Sequence, residues 1–255
     1  MKTIVKYVLL DLFRNRIILV YSLILAVLSI SLLGLDNNPT KGLLSLLNVS
    51  LLFVPIITIL FATIYFFNSV EFTELLLSQP IKRNTVLLSQ YIGVSFSLAT
   101  AYGLGVGLPL LFLVSGTASL ILVITGILLT LVFCSLALLI FVSFKDKTKG
   151  IGIAIAAALF FSLLFDGLLL AFIYSFSDYP IDQAVIAILA LNPIDLGRVL
   201  MLLQLDTSAL MGYSGALFKK FLGSAAGSIF SIICMFFWVF VPLLLSVRIF
   251  KKKDL

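Results

Sequence analysis

The chain has 255 residues, of which 62% are hydrophobic and 11% are charged, and its net charge is +6. Soluble domains carry about 25% charged residues, so this composition excludes a soluble protein of this length. The Lys and Arg residues stand singly or in short clusters beside apolar runs, which is typical of charge at a membrane surface. They form no basic block interleaved with aromatic residues, so we expect no nucleic-acid partner.

The apolar residues form six runs long enough to cross a membrane. A helix needs about 20 mainly apolar residues to cross the hydrocarbon core. The predicted spans are residues 17–35, 51–67, 91–114, 119–144, 151–174 and 224–247. The predicted fold class is therefore an all-α polytopic membrane protein that consists of one transmembrane domain.

The residues before the first span predict an amphipathic helix. Lys2 and Lys6 lie off an apolar stripe that recurs at helical spacing within residues 1–16 and consists of Ile4, Val5, Val8, Leu9, Leu12 and Phe13. Such a helix lies along the membrane surface with its apolar face in the lipid. We expect it to anchor the start of the first span.

The basic residues are distributed unequally between the gaps that separate the spans. Thirteen of the seventeen lie on one side: Lys2, Lys6, Arg14, Arg16, Lys82, Arg83, Lys145, Lys147, Lys149, Arg248, Lys251, Lys252 and Lys253. The other four are Lys41, Arg198, Lys219 and Lys220. Cytoplasmic loops retain Lys and Arg, so we predict that both termini and the second and fourth gaps face the cytoplasm.

Residues 181–205 are apolar enough to suggest a seventh span, which we reject. Asn192 and Pro193 interrupt the run, and Asp195 and Arg198 would lie at membrane depth, which is costly. A seventh span would also move the basic C-terminus to the outside.

Residues 175–223 are therefore predicted to form an external, periplasmic segment with short helices on or dipping into the outer leaflet. Asn192 suits an N-cap, Pro193 suits the first helical position, and Asp195 suits the positive end of the helix dipole. That helix is predicted to run to Leu205. A loop without helices is the alternative.

Residues 68–90 form the second gap and contain the sequence EFTELLLSQPIKR at residues 71–83. Phe72, Leu75 and Leu76 predict an apolar helix face, and Glu71 and Glu74 a polar one, with a stop at Pro80. A short amphipathic helix of this kind can dock into the groove of a soluble partner. A surface loop with ordinary flanking charge is the alternative.

Several kinds of chemistry have no candidate residues. The chain has no His and no P-loop motif, so we expect no ATP, cofactor or metal bound by its own residues. Cys134 and Cys234 both lie inside spans and are predicted to be packing residues.

Asp166 is the one acidic residue within a predicted span. An intramembrane carboxylate is expensive and is by default a functional candidate, for example in a secondary transporter. The alternative is a position near a polar interface or at an early start of the short external structure.

Small residues at four-residue spacing recur in three spans. The sets are Gly103 with Gly107, Gly152 with Ala156, and Gly223 with Gly227 and Ser231. Such spacing lets helix backbones approach closely in lipid. It predicts a compact bundle or a dimer, without specifying the face.

Taken together, the surface helix, the six spans, the charged helix after the second span and the long external segment resemble an ABC-2 type permease. Residues 71–83 are similar to the cytoplasmic loop of NosY-type permeases. The sequences NPIDLGR at residues 192–198 and LDTSALMGYSG at residues 205–215 are similar to the external segment of that family.

The resemblance implies the permease subunit of the system that matures the copper-sulfur centre of nitrous oxide reductase. It implies a bacterial inner-membrane protein that pairs with itself, with a cytosolic P-loop ATPase subunit that holds ATP and Mg²⁺, and with a periplasmic NosD-like accessory protein. The implied ATPase-coupling residues are Glu71, Phe72, Glu74, Leu75, Gln79, Lys82 and Arg83. The implied periplasmic contacts are Asn192, Asp195, Arg198, Asp206 and Tyr213. Export of another substrate and a scaffold that transports nothing are the alternatives.

Overall fold

A computed structural model describes residues 1–35, 39–114, 116–176, 179, 182–203 and 212–252, with side chains except at residues 35, 182 and 212–224. Within these ranges the secondary structure is helical, without strands, as predicted. The first helices are α1 (Lys2–Phe13), α2 (Arg16–Leu35), α3 (Pro39–Asn68), α4 (Val70–Leu77), α5 (Arg83–Tyr102) and α6 (Leu108–Leu113). The remainder are α7 (Thr117–Ser143), α8 (Lys147–Leu159), α9 (Phe165–Ser175), α10 (Asp182–Leu189), α11 (Pro193–Leu202) and α12 (Gly212–Lys252).

Six helical segments of the described chain are long and apolar enough to cross a membrane, which confirms the predicted number. They are Arg16–Gly34, Pro39–Asn68, Arg83–Leu113, Thr117–Ser143, Lys147–Ser175 and Ala225–Lys252. Most helices extend beyond the predicted spans, because hydropathy detects only the part that lies in hydrocarbon. The largest difference is the second span, which was predicted from residue 51 and begins at Pro39.

Most of the basic residues that the structure describes lie at one end of the bundle. The first, third and fifth spans begin at Arg16, Arg83 and Lys147, and the sixth ends at Lys252. The end of the second span and the start of the fifth lie together here. Lys147 Nζ, at the start of the fifth, donates a hydrogen bond to Asn68 Oδ1, at the end of the second, at 2.7 Å. We call this end, which also carries α1 and α4, the basic end.

The amphipathic helix α1 packs against a span as well as facing the membrane. Its buried residues are Ile4, Val8 and Leu12, and a Cβ atom added to Gly93 of α5 would overlap Val8. Phe13, which also belongs to the predicted stripe, is 42% exposed. Part of the stripe therefore fixes α1 to the bundle, and the rest remains available to lipid.

Two spans contain a π-helical turn. Gly103–Gly107 joins α5 to α6, and Phe160–Leu164 joins α8 to α9. A Cβ atom on Gly105 would lie 2.7 Å from Ser22 O and 2.8 Å from Leu25 Cβ, so α2 approaches this turn at backbone distance. The close approach occurs at Gly105, whereas the sequence pattern pointed to Gly103 and Gly107.

The segment after the fifth span folds back into the bundle. α10 and α11 meet at an angle of 113°, and such a bend turns the chain back instead of carrying it across. α11 was predicted to lie at the outer leaflet and to reach Leu205, but it ends at Leu202 and is buried. A Cβ on Gly197 would lie 3.0 Å from Thr125 Cγ2 and 3.4 Å from Leu51 Cδ2, which places α11 against α7 and α3.

The contact between α1 and α5 gives a stability test. We expect Gly93→Ala to lower the free energy of unfolding by about 1–3 kcal/mol, because the new methyl group overpacks against Val8. In the same span, Gly103→Ala is the matched control, since a Cβ there meets nothing within 4 Å. Thermal unfolding of the purified protein in detergent measures both. Equal midpoints for the two variants would contradict the packing.

Candidate functional site

One side of α4 is fastened to α5. Thr73 is 1% exposed, and its Oγ1 accepts a hydrogen bond from Gln90 Nε2 at 2.7 Å and donates one to Ser69 O at 2.7 Å. Leu76 and Leu77 are half-buried and pack against the main core. A displacement of α4 therefore acts directly on the third span, because the two helices share buried contacts.

The other side of α4 presents acidic and apolar side chains to the surroundings. Glu71 and Glu74 are exposed, and Phe72 and Leu75 are 39% and 68% exposed. The predicted apolar face of Phe72, Leu75 and Leu76 is thus divided, because Leu76 belongs to the inner side. The remaining pair is an outward-facing apolar patch flanked by two carboxylates, a pattern found on amphipathic helices that dock into protein grooves.

The rest of the predicted coupling stretch continues this surface. Gln79 and Lys82 are exposed, and so is Arg83, the first residue of α5. The seven residues proposed for coupling therefore lie together at the basic end, in a segment of thirteen residues. We call residues 71–83 the α4 surface.

A second group of polar residues is embedded where α11 meets the fifth span. Arg198 Nη1 donates to Asp166 Oδ2 at 3.1 Å and to Asp195 Oδ1 at 3.0 Å. Asn192 Nδ2 donates to Asp195 Oδ2 at 2.9 Å. We call Asp166, Asn192, Asp195 and Arg198 the Asp–Arg cluster.

Asn192 has three hydrogen-bond partners, of which Asp195 is the one within the cluster. Its Oδ1 accepts a hydrogen bond from Ile194 N at 3.0 Å, which is the N-cap that the sequence predicted. Its Nδ2 also donates to Phe161 O at 3.1 Å, within the π-helical turn of the fifth span. Asn192 therefore starts α11 and ties it to α8–α9.

The charges of the cluster are partly compensated. Asp195 is 2% exposed, and a carboxylate at such a position is tolerated only when it is paired and hydrogen-bonded. The side chains of Asp166 and Arg198 are 35% and 34% exposed. Two carboxylates share one guanidinium, so the cluster carries a formal charge of −1.

Asp166 forms an ion pair with a residue of another helix. Its carboxylate pairs with Arg198 of α11, thirty-two residues further along the chain. This arrangement matches the alternative of a polar interface and identifies that interface as the contact with α11. A role of Asp166 in transport stays a prediction.

The structure joins three of the five predicted periplasmic contacts, namely Asn192, Asp195 and Arg198. Asp206 lies outside the described residues, and so does the side chain of Tyr213. The two predicted groups of site residues are separate, because the α4 surface lies at the basic end and the Asp–Arg cluster lies toward the other end.

Sequence reasoning missed Thr73 and Gln90, which hold α4 in place. Their signal is a polar residue on the inward side of each helix, but pairing across two helices is not readable from a single chain. Sequence reasoning also missed the Phe161 carbonyl, because a π-helical turn leaves no clear mark in an apolar run.

The comparison with known families gives one match. The family model described as ABC-2 family transporter protein matches residues 51–255, which include the last four spans, most of the second span, the α4 surface and the Asp–Arg cluster. No curated protein matches the chain.

Removing one member of the Asp–Arg cluster should have an effect that depends on which charge is left behind. We expect Arg198→Gln to lower the free energy of unfolding by about 3–5 kcal/mol, because it leaves the buried Asp195 carboxylate unpaired. Asp166→Asn should lower the free energy of unfolding by about 1 kcal/mol or less, since Arg198 still pairs with Asp195. Thermal unfolding in detergent measures these changes. The double variant Asp195→Asn/Arg198→Gln should recover most of the loss, and the same loss as in Arg198→Gln alone would contradict the pairing.

Proposed function

The chain belongs to the ABC-2 family of transporter proteins, and we propose that it works as a homodimeric membrane subunit driven by ATP that a separate subunit hydrolyses. Members of this family are membrane subunits that generally act with a cytosolic ATPase and often dimerise. The chain itself contains no P-loop sequence, so ATP and Mg²⁺ belong to the partner.

The observation that carries the proposal is the α4 surface. A helix that is fixed to a span on one side and presents Phe72 and Leu75 on the other can receive a force and pass it on. Glu71 and Glu74 add charge that favours a basic groove on the ATPase. The basic residues at the same end support a cytoplasmic position for this surface.

The mechanism follows from this connection. Closure of the ATPase subunits on ATP displaces α4, and α4 is joined to the third span through Thr73 and Gln90. The spans then move between two arrangements, and ATP shifts their populations because it binds one arrangement better. In this mechanism the α4 surface is where the ATPase acts on the membrane subunit.

The second copy needs a face of its own, and the fifth span offers one. Gly152 and Ala156 are exposed in the protomer, and a Cβ on Gly152 would meet nothing within 4 Å. Small residues at this spacing allow another helix to approach closely in lipid. We therefore place the fifth span in the dimer contact.

For the cargo pathway we propose the NosY-like role, in the maturation of the copper-sulfur centre of nitrous oxide reductase. The support is the similarity of residues 71–83, 192–198 and 205–215 to that family. In this role, Asn192, Asp195 and Arg198 would position the external segment for a periplasmic accessory protein.

Reversing the charge of the α4 surface should separate the two subunits. We expect the double variant Glu71→Lys/Glu74→Lys to insert in the membrane normally but to lose the ATPase during co-purification, because two contacts become repulsive. Leu75→Ala should weaken co-purification as well. Leu10→Ala is its matched control, since Leu10 is also exposed at 48% but lies on α1. Normal co-purification of the double variant with the ATPase would contradict the proposal that the α4 surface binds it.

The pathway is tested by genetic replacement. In a bacterium that lacks its own maturation permease, this chain and its ATPase should restore nitrous oxide reduction, and the ATP-site variant of that ATPase should not. Restoration by the inactive ATPase would indicate a scaffold that transports nothing. ATPase activity that depends on this chain, without restored nitrous oxide reduction, would indicate export of another substrate.

A further inference from the structure

A cavity of about 550 Å³ lies at the basic end, between α1, the end of α3 and the start of α4. Three aromatic residues line it, one from each of these helices: Tyr7, Tyr65 and Phe72. The rings are accessible, because Tyr7 and Phe72 are 64% and 39% exposed and Tyr65 is half-buried. Aromatic side chains that line one cavity from three elements are suited to an organic cation.

A second cavity of about 310 Å³ continues the first along the membrane spans. The two share Asn15, Tyr65 and Asn68 as lining residues. Beyond them the walls come from α2 and α3 and are apolar, with Ile17 and Ile57 among them. The combined cavity is therefore polar at the basic end and apolar where it enters the spans, which is the profile of an amphiphile.

The charge in this cavity has one sign. Asp11 is the one ionisable carboxylate or cation among the lining residues, and its Oδ2 accepts a hydrogen bond from Tyr65 Oη at 3.4 Å. Within the part of the chain that the structure describes, Asp11 forms no ion pair. The nearby amine of Lys147 is held by Asn68 Oδ1 at 2.7 Å and does not line the cavity. A basic surface thus contains an acidic pocket.

We propose that the two cavities form one binding site for a cationic amphiphile, an alkylammonium or alkyltrimethylammonium. Its head lies between Asp11 and the rings of Tyr7, Tyr65 and Phe72, and its chain lies along α2 and α3. An anionic amphiphile is disfavoured because Asp11 repels it, and a soluble peptide does not reach the half that lies within the spans. The site shares Phe72 with the α4 surface, so its test uses the chain without the ATPase.

Binding to the purified full-length protein in dodecyl maltoside, a detergent with an uncharged head, tests the site. Calorimetric titration with hexyltrimethylammonium should give saturable binding. Tetramethylammonium, which lacks the chain, should bind at least about tenfold more weakly, and hexyl sulfate, with the same chain and the opposite charge, should not saturate. Equal binding of hexyl sulfate would overturn the proposal.

Variants separate the two halves of the site. Asp11→Asn should weaken hexyltrimethylammonium binding about tenfold, whereas Asp146→Asn, the same change at an exposed residue outside the cavity, should leave it unchanged. Ile57→Trp fills the apolar half and should reduce hexyltrimethylammonium to the affinity of tetramethylammonium. Asp11 is exposed, so its variant should unfold at the wild-type temperature. Wild-type affinity in Asp11→Asn would overturn the assignment.

The natural ligand has two sources, a lipid headgroup or a free amphiphile, and a competition experiment distinguishes them. If added phosphatidylethanolamine displaces hexyltrimethylammonium and phosphatidylglycerol does not, the ligand is the ammonium headgroup of a membrane lipid. If neither lipid displaces it, the ligand is a free alkylammonium. Displacement by phosphatidylglycerol alone would overturn the preference for cations.

Discussion

The cost of removing a charge from water determines where the charged side chains of this chain lie. Most Lys and Arg residues stand at the ends of spans, because only there do their charges reach water or lipid headgroups. The same cost makes the Asp–Arg cluster necessary, since Asp195 is 2% exposed and needs Arg198 and Asn192. The basic end and the embedded cluster are thus two solutions to one constraint.

This constraint also connects the fold to the proposed function. α11 enters the bundle only because its carboxylate is neutralised there, and Asn192 joins it to the π-helical turn of the fifth span. At the basic end, α4 lies outside the hydrocarbon, so it can expose Glu71 and Glu74 beside Phe72 and Leu75. The acidic cavity around Asp11 has the same origin, because it lies where the spans meet water. The charged groups of the proposed functional surfaces therefore lie toward the two ends of the bundle.

Hydropathy was sufficient to predict the six spans, the spacing of apolar residues to predict α1, and capping preferences to predict the N-cap at Asn192, because all three depend on local sequence. The burial of α11 was not predictable in the same way. Its apolar residues suit the outer leaflet and the bundle equally well, and the choice depends on Asp166, thirty-two residues away from Arg198. For α4, the sequence predicted an amphipathic helix, but its orientation depends on one hydrogen bond between Thr73 and Gln90. Pairings of this kind become visible only in three dimensions.

The central claim is that the α4 surface faces the cytoplasm and binds an ATPase subunit there. Labelling of Leu75→Cys in a Cys134→Ala/Cys234→Ala background, with a thiol reagent that does not cross membranes, tests it most directly. In inverted membrane vesicles, which expose the cytoplasmic face, we expect rapid labelling that the bound ATPase abolishes. In intact spheroplasts we expect no labelling. Labelling of intact spheroplasts, or labelling in vesicles that the ATPase leaves unchanged, would contradict the account.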